Sequence, residues 1–384
     1  MQYDFDQIIE RRGTECYKWD FCAEDVLPLP VADMDFVSPE PVIRALHERV
    51  DHGVFGYTMP SDELYDVIRA RLKALYAWEV IREDIVFLPG VVAGFNLAAR
   101  AVSEPDGAIL TQPPVYGPFL TAPKNANMVL RSAPLVQGEA RYEIDLEAFE
   151  SAFTPQTRMF LLCNPHNPVG RVFEREELAR MAEVCLRKDV VICSDEIHCD
   201  LVFSGYKHIP MAALSPEIAQ RTITLMAPSK TYNIAGLHCS FAVIQNEELR
   251  DRFKAAMAGL THGANLLGYA AAQAAYAEGQ EWLEQMMAYV EDNRDYLVRY
   301  VAENLPGVNM VVPEGTYLAW LDCRDLNLEV QPHEFFLDEA RVSLSNGAWF
   351  GSGGEGHVRL NFATSRAILI EALERMKEAV EGLE

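Results

Sequence analysis

Five of the apolar, strand-like runs in this 384-residue sequence are followed directly by a group that could bind a ligand. In chain order these groups are a glycine turn at Gly90, an aromatic ring at Tyr116, an amide at Asn167, a carboxylate at Asp195 and an amine at Lys230. Ligands of parallel α/β sheets bind beyond the carboxyl ends of the strands. The pattern therefore predicts one shared site, in which the amine of Lys230 is the candidate nucleophile or base.

The apolar runs alternate with helical patterns and are rich in β-branched residues. Such alternation is typical of a largely parallel sheet covered by helices on both faces, so the predicted fold class is α/β. The predicted strands are 84–88, 107–112, 127–131, 159–163, 190–194, 222–226 and 241–244, and the predicted helices include 61–78, 92–102 and 175–187. Ser61 and the acidic residues after it are typical of a capped helix start.

A second, smaller α+β unit is predicted from the change of pattern after the sheet. The stretch 265–303 lacks proline and is interrupted near Gly279, which predicts long helices that connect two domains. Strand-like runs and an amphipathic helix over 366–382 then predict a small mixed sheet closed by a helix. We assign residues 45–285 to a large domain that carries the predicted site, and residues 1–44 and 286–384 to a small domain.

Composition limits the classes of partner. A formal charge of −24 and a pI near 4.8 argue against nucleic acid or an anionic membrane surface as the partner. The apolar runs are too short to cross a bilayer, and the N-terminus lacks the apolar stretch of a secretory signal, so we expect a soluble, cytoplasmic protein. The eight cysteines form no CxxC pair, which argues against a zinc site and against disulfides.

Motifs spread over most of the chain resemble those of the pyridoxal-phosphate (PLP) enzymes of the aspartate aminotransferase fold, fold type I. The closer resemblance is to their cystathionine β-lyase and cysteine-S-conjugate lyase branch, the MalY/PatB-like group. It rests on the order and spacing of "VADMDFVSPEPV", "HGVFGYT", "PGVVAGF", "TQPPVYGPF", "LLCNPHNPVGRV", "SDEIHCDLVF", "APSKTYNIAGL", "PEGTYLAWLD" and "VRLNFATSR". The resemblance implies a mostly parallel seven-stranded sheet in the large domain and a homodimer with its active site at the subunit interface.

The resemblance also implies the roles of the catalytic residues. Lys230 holds the cofactor aldehyde covalently and, when the substrate amine releases it, takes the Cα proton. Asp195 pairs with the protonated pyridine nitrogen, and Tyr116 stacks on the pyridine ring. The residues alone leave other interpretations open: a solvated lysine, a helix-capping aspartate and a tyrosine of the core.

Further ligands of the cofactor and substrate are implied in the same way. The backbone of Gly90 to Ala93, with Val91 and Val92 at the helix start, and the side chain of Ser229 bind the phosphate. Tyr57 reaches the same phosphate from a second subunit. Asn167 binds the phenolic oxygen of the cofactor and contacts the substrate, although an ordinary turn asparagine fits the pattern too.

Three charged residues are assigned to the substrate. Arg359 matches the family arginine that binds the α-carboxylate, and a surface ion pair is its alternative. Asp33, with Asp35, is expected at the substrate entrance.

Departures from the aminotransferase pattern are His198, in place of a tyrosine, and His238, where those enzymes usually hold the phosphate with arginine.

The resemblance implies a carbon–sulfur lyase that converts L-cystathionine or related cysteine S-conjugates to pyruvate, ammonia and a thiol. An aminotransferase that uses the same residues is the alternative, because Lys230, Asp195 and Arg359 serve both reactions. A regulatory or binding protein that keeps the fold is a third hypothesis, and the presence of Lys230, Asp195 and Asn167 argues against it.

Overall fold

The computed structural model describes residues 1–383, and its central element is a seven-stranded sheet. In spatial order the strands are Ile85–Leu88, Ser240–Val243, Thr222–Met226, Val191–Asp195, Thr157–Cys163, Ala108–Thr111 and Val129–Ser132. Ser240–Val243 runs antiparallel to both of its neighbours, and the other pairs are parallel. The predicted α/β fold with a mostly parallel sheet is therefore confirmed.

Helices cover both faces of this sheet. Successive strand residues point to opposite sides, and because most of the strands are apolar along their length, both sides must be buried. Ile109 packs on one side with Phe95 and Phe119, whereas Leu110 packs on the other side with Phe173. The helices of the described chain are Tyr17–Asp20, Glu40–Asp51, Asp62–Tyr76, Val91–Ala101, Pro118–Asn125, Leu146–Ser151, Arg175–Arg187, Pro216–Ala219, Pro228–Thr231, Glu247–Met257, Leu266–Glu278, Gln280–Asn304, Pro332–Asp338 and Arg366–Glu381. None of these helices is long and apolar enough to cross a membrane.

Local sequence explains where several helices begin and end. The Ser61 side chain accepts a hydrogen bond from Leu64 N at 3.1 Å, as expected for a capped start of Asp62–Tyr76. The predicted long helical stretch is divided at Gly279 into Leu266–Glu278 and Gln280–Asn304. A Cβ at position 279 would lie 2.5 Å from Ala275 O and 2.7 Å from Tyr232 Cε1, so a residue without a side chain is needed there.

The C-terminal residues form a second sheet with its own core. Its strands are Asn309–Met310, Leu318–Asp322, His357–Asn361 and Ser345–Asn346, in that spatial order. All neighbouring pairs are antiparallel, so the prediction of a mixed sheet is wrong in this respect. Two short pairs lie apart from it, Leu27–Pro28 with Val342–Ser343 and Val136–Gln137 with Tyr142–Glu143. Leu318, Leu360 and Leu369 share one apolar cluster with Leu29 from the N-terminal segment and with Tyr232 beside Lys230. This cluster joins the C-terminal unit, the N-terminal segment and the lysine helix.

Candidate active site

A cavity of about 740 Å³ lies at the carboxyl ends of the central strands. The helix starts and loops that follow the strands form its floor, and the N-terminal segment and the second sheet form its walls. It is lined by nine of the residues predicted from the sequence, Val91, Val92, Tyr116, Asn167, Asp195, His198, Ser229, Lys230 and Arg359. The structure thus brings together groups that are up to 268 positions apart in the chain, from Val91 to Arg359.

Lys230 lies on the short helix Pro228–Thr231, directly after the buried strand Thr222–Met226. Its Nζ donates a hydrogen bond to the backbone oxygen of Ala32 at 2.6 Å. Burial lowers the pKa of Lys230 to about 8; Asp33 and Asp195 oppose this shift, and Arg359 adds to it. With a pKa of about 8, roughly a tenth of the amine is neutral at pH 7 and about half at pH 8, so the neutral form that a nucleophile or base needs is accessible.

Asp195 ends the fully buried strand Val191–Asp195. Its Oδ1 accepts a hydrogen bond from Ile197 N at 3.1 Å, and within residues 1–383 no cation forms an ion pair with it. Burial raises the pKa of Asp195 to about 7, against the effect of the Ile197 N–H. A buried carboxylate of this kind is stabilised when a positive group enters the cavity beside it.

Arg359 and Asn167 form the opposite wall. Arg359 Nη1 donates to Asn167 Oδ1 at 2.9 Å, and Nη2 donates to the backbone oxygen of Pro30 at 2.7 Å. Arg359 is buried, which lowers its pKa to about 10, and its Nε has no hydrogen-bond partner in the described chain. No carboxylate of residues 1–383 pairs with this guanidinium. A buried arginine in this state can bind the carboxylate of a ligand.

Since Arg359 occupies the side-chain oxygen of Asn167, the Asn167 amide nitrogen is the group that remains to donate to a ligand. Tyr116 lies next to it, with its backbone N–H bonded to Asn167 O at 3.0 Å. The Tyr116 ring packs edge-to-face on Trp349, with centroids 5.6 Å apart. This packing fixes an aromatic face at the cavity.

His198 also lines the cavity and is neutral. Burial lowers the pKa of His198 to about 3, and the nearby charges of Lys230 and Arg359 act in the same direction. Its Nδ1 is buried without a hydrogen-bond partner among the described residues. A neutral imidazole can offer a hydrogen bond to a ligand without adding charge.

The helix Val91–Ala101 begins at the cavity, after Gly90. Its first backbone N–H groups lack partners within the helix and, together with the helix dipole, favour an anion at this end. Ser229 and His238 line the same cavity and add polar groups. These features can hold a phosphate.

Tyr57, Asp33, Asp35 and Ala93 are the predicted site residues that do not line the cavity. Tyr57 is fully exposed in the loop between the helices Glu40–Asp51 and Asp62–Tyr76. Its prediction concerns a second subunit and stays a prediction. Asp33 Oδ2 instead accepts a hydrogen bond from Arg11 at 2.8 Å.

Asp35, expected beside Asp33 at the substrate entrance, lies in a buried ion cluster. Its carboxylate accepts hydrogen bonds from Lys18 Nζ at 2.7 Å, Trp19 Nε1 at 2.8 Å and Arg11 Nη1 at 2.6 Å. Burial opposes ionisation, yet these donors, Lys18 first, lower the pKa of Asp35 below its usual value. The role of this aspartate in the described chain is to hold residues 11–19 against the segment that contacts Lys230.

Sequence reasoning did not find the residues that close the cavity from the N-terminal side and from the loop before the last strand. These are Tyr17, Lys18, Phe21, Cys22, Ser345 and Trp349. Residues 11–35 have no clear helical or strand periodicity, so no local signal placed them there. The loop "GAWFGSGG" had one usable signal, an aromatic residue flanked by glycines.

Comparisons with known proteins agree with this geometry. Residues 24–376 match the family described as aminotransferase class I and II. The chain belongs to this family. It is 41% identical to the cystathionine beta-lyase PatB of Bacillus subtilis (strain 168), over 98% of this chain and 100% of that protein.

Two solved structures place the chain in the same branch. Cystalysin from Treponema denticola, whose crystal contains a pyridoxal 5'-phosphate cofactor, is 33% identical and superposes with a TM-score of 0.96 over 100% of both chains. The PLP-bound C-S lyase from Staphylococcus hominis is 35% identical, with a TM-score of 0.93 over 98% of this chain and 99% of that one. The family resemblance predicted from the motifs is confirmed.

Proposed function

We propose that this protein is a PLP-dependent carbon–sulfur lyase, which eliminates the thiol from L-cystathionine or related cysteine S-conjugates and yields pyruvate and ammonia. One observation carries the proposal. A buried amine with a lowered pKa meets, in one cavity, a buried carboxylate and a buried arginine that form no ion pair with any of residues 1–383. The similarity to PatB and to the C-S lyase of Staphylococcus hominis supports the lyase reaction in particular.

The polar groups of the cavity fit PLP. Asp195 can pair with the protonated ring nitrogen, and this cation would relieve the cost of burying the carboxylate. Lys230 can hold the aldehyde, and Asn167 and Tyr116 can bind the phenolic oxygen and the ring face. The N-terminus of Val91–Ala101 and the Ser229 hydroxyl suit the phosphate.

PLP bound there supplies the electron sink that lets the Cα–H bond of an amino acid break. In the proposed reaction Arg359 holds the α-carboxylate, and the neutral amine of Lys230 takes the Cα proton. The electron pair of that bond then forms the Cα–Cβ double bond as the Cβ–S bond breaks and the sulfur leaves with its bonding electrons as a thiolate. Arg359 is hydrogen-bonded to Asn167, whose amide nitrogen can donate to the cofactor. This bond fixes the position of the bound α-carboxylate relative to the cofactor.

We also propose a homodimer in which Tyr57 contributes to the partner's phosphate site. The loop that carries Tyr57 is rich in exposed apolar side chains, including Val54, Phe55 and Met59. Such a patch is typical of a protein interface. We further propose a cytoplasmic location, because the eight free cysteines fit a reducing compartment. The domain boundaries at residues 45 and 285 also remain proposals.

An assay with L-cystathionine tests the lyase. We expect pyruvate and free thiol to form without any added 2-oxo acid, and we expect Lys230→Ala to abolish both products. If the amino acid is converted only when a 2-oxo-acid acceptor is present, the protein is an aminotransferase. That alternative is kept because the family description covers aminotransferases and because the same three charged residues serve that reaction.

A further inference from the structure

The backbone segment Pro30–Asp33, called here the strap, crosses the cavity wall between Lys230 and Arg359. Each of its four carbonyl oxygens accepts a hydrogen bond from a side chain, so the strap is fixed by residues from distant elements rather than by a sheet. The bonds are Arg359 Nη2 to Pro30 O at 2.7 Å, Asn361 Nδ2 to Val31 O at 2.7 Å and to Asp33 O at 2.6 Å, and Lys230 Nζ to Ala32 O at 2.6 Å.

The Ala32 oxygen has a second donor. The hydroxyl of Tyr317, the residue before strand Leu318–Asp322, donates to it at 2.9 Å. The Tyr317 side chain is buried, its ring packs edge-to-face near His198, and burial raises the pKa of its hydroxyl above the usual value. The phenol therefore stays protonated and acts as a permanent donor to this carbonyl.

We propose that Tyr317 is a positioning residue for Lys230. By holding the Ala32 carbonyl in place, it fixes the site where the Lys230 amine rests whenever that amine is not attached to the cofactor. Tyr317 itself does not line the cavity and acts through the carbonyl. The inference rests on the proposed function, because a resting place beside the reacting carbon matters when Lys230 is the base.

The physical reason lies in the lysine side chain. Its four-carbon stem has many rotamers, and a free amine without a fixed acceptor would spend little time near the Cα proton. A bond to Ala32 O uses one N–H and leaves the lone pair of the neutral amine free. The charged groups that face Lys230 are Asp33, Arg359 and Asp195, and the neutral His198 lies nearby. Tyr317 adds no charge to this set, so its effect is one of geometry.

The test measures Cα proton transfer directly. L-Alanine has no β-leaving group, so exchange of its Cα proton for deuterium in D₂O, followed by NMR, reports the lysine step without elimination. We expect Tyr317→Phe to lower the maximal exchange rate about tenfold or more, with the alanine concentration at half-maximal rate within about twofold of wild type. The variant keeps the ring and leaves Ala32 O bonded to Lys230, so the fold is retained.

Tyr269→Phe is the matched control. Tyr269 is also buried, and its hydroxyl accepts a hydrogen bond from Ala264 N at 3.0 Å, away from the cavity. We expect this variant to lose a comparable amount of thermal stability and to exchange alanine at the wild-type rate. An equal loss of exchange in both variants, or a rate for Tyr317→Phe within twofold of wild type, overturns the inference.

A second readout needs no turnover. In the full chain freed of cofactor, Lys230 is acylated at a series of pH values and quantified by peptide mass spectrometry. A looser strap admits water to the amine, so we expect Tyr317→Phe to raise the pH midpoint by roughly half a unit. An unchanged midpoint contradicts the proposal.

The lyase assignment and the positioning role of Tyr317 can be contradicted by different results. Wild-type exchange of alanine without elimination from cystathionine would overturn the lyase assignment and leave the role of Tyr317 standing. Absence of exchange in the wild-type protein would remove Lys230 as the base, and the positioning role would fall with it.

Discussion

At the scale of single residues, Asp195 is expected to oppose stability in the cofactor-free protein while it supports catalysis. Its pKa is raised to about 7 in the folded chain, against about 3.9 in the unfolded chain. Between these values the unfolded chain releases the proton that the folded chain retains. The free energy of unfolding of the cofactor-free protein is therefore unaffected by Asp195 below pH ~4. It falls by about 1.4 kcal/mol per pH unit as the pH rises from there toward 7.

Asp195→Asn should thus have opposite effects on stability and activity. At pH 8 the cofactor-free variant should unfold at a higher temperature than wild type, whereas at pH 4 the two should unfold alike. With PLP the variant should lose at least about 100-fold in elimination rate, because removal of one partner of a buried ion pair costs about 3 kcal/mol or more. Calorimetry at both pH values and pyruvate assays measure these effects, with the exposed Asp251→Asn as a control that changes neither. A variant less stable than wild type at pH 8 would contradict this account.

At the scale of elements, the sequence predicted what is decided by local pattern. The strand Thr222–Met226 and the helix Arg175–Arg187 coincide with their predicted limits, because an apolar run bounded by polar residues and a 3.6-residue periodicity are local signals. The wall built by residues 17–35 could not be predicted in the same way. Lys18 is buried through its bond to Asp35, and neither residue shows this pairing in its neighbouring sequence.

The separation of two helices at Gly279 also gives a prediction at the scale of elements. Gly279→Ala should destabilise the protein by roughly 1–3 kcal/mol, because the new methyl group would overlap the Ala275 carbonyl and the Tyr232 ring. The change of unfolding free energy is measured by urea denaturation. Gly236→Ala is the matched control, since a Cβ there meets nothing within 4 Å, and it should stay within about 0.5 kcal/mol of wild type. Equal losses in the two variants would show that helix packing at Gly279 is not the cause.

At the scale of the whole molecule, a chain with a net charge of −24 repels the cofactor phosphate and the substrate α-carboxylate that its cavity is proposed to bind. The attraction must come from Arg359 and Lys230, which are buried and so are screened little by salt. The motifs predicted both residues. The motifs also predict that Tyr57 serves the site of a second subunit. Tyr57 is fully exposed and does not line the cavity of its own chain, so the structure of one chain leaves that role a prediction.

A mixing experiment decides whether Tyr57 acts across the subunit interface. Tyr57→Ala and Lys230→Ala are each expected to be nearly inactive alone. When equal amounts are unfolded together and refolded, about half of the dimers are mixed. A Tyr57 that serves the partner's site gives each mixed dimer one site with both defects and one site with none. If Tyr57 serves the partner's site, about a quarter of all sites become intact, and activity should rise to about a quarter of wild type. If Tyr57 serves its own subunit, every mixed site keeps one defect and activity stays at the level of the separate variants.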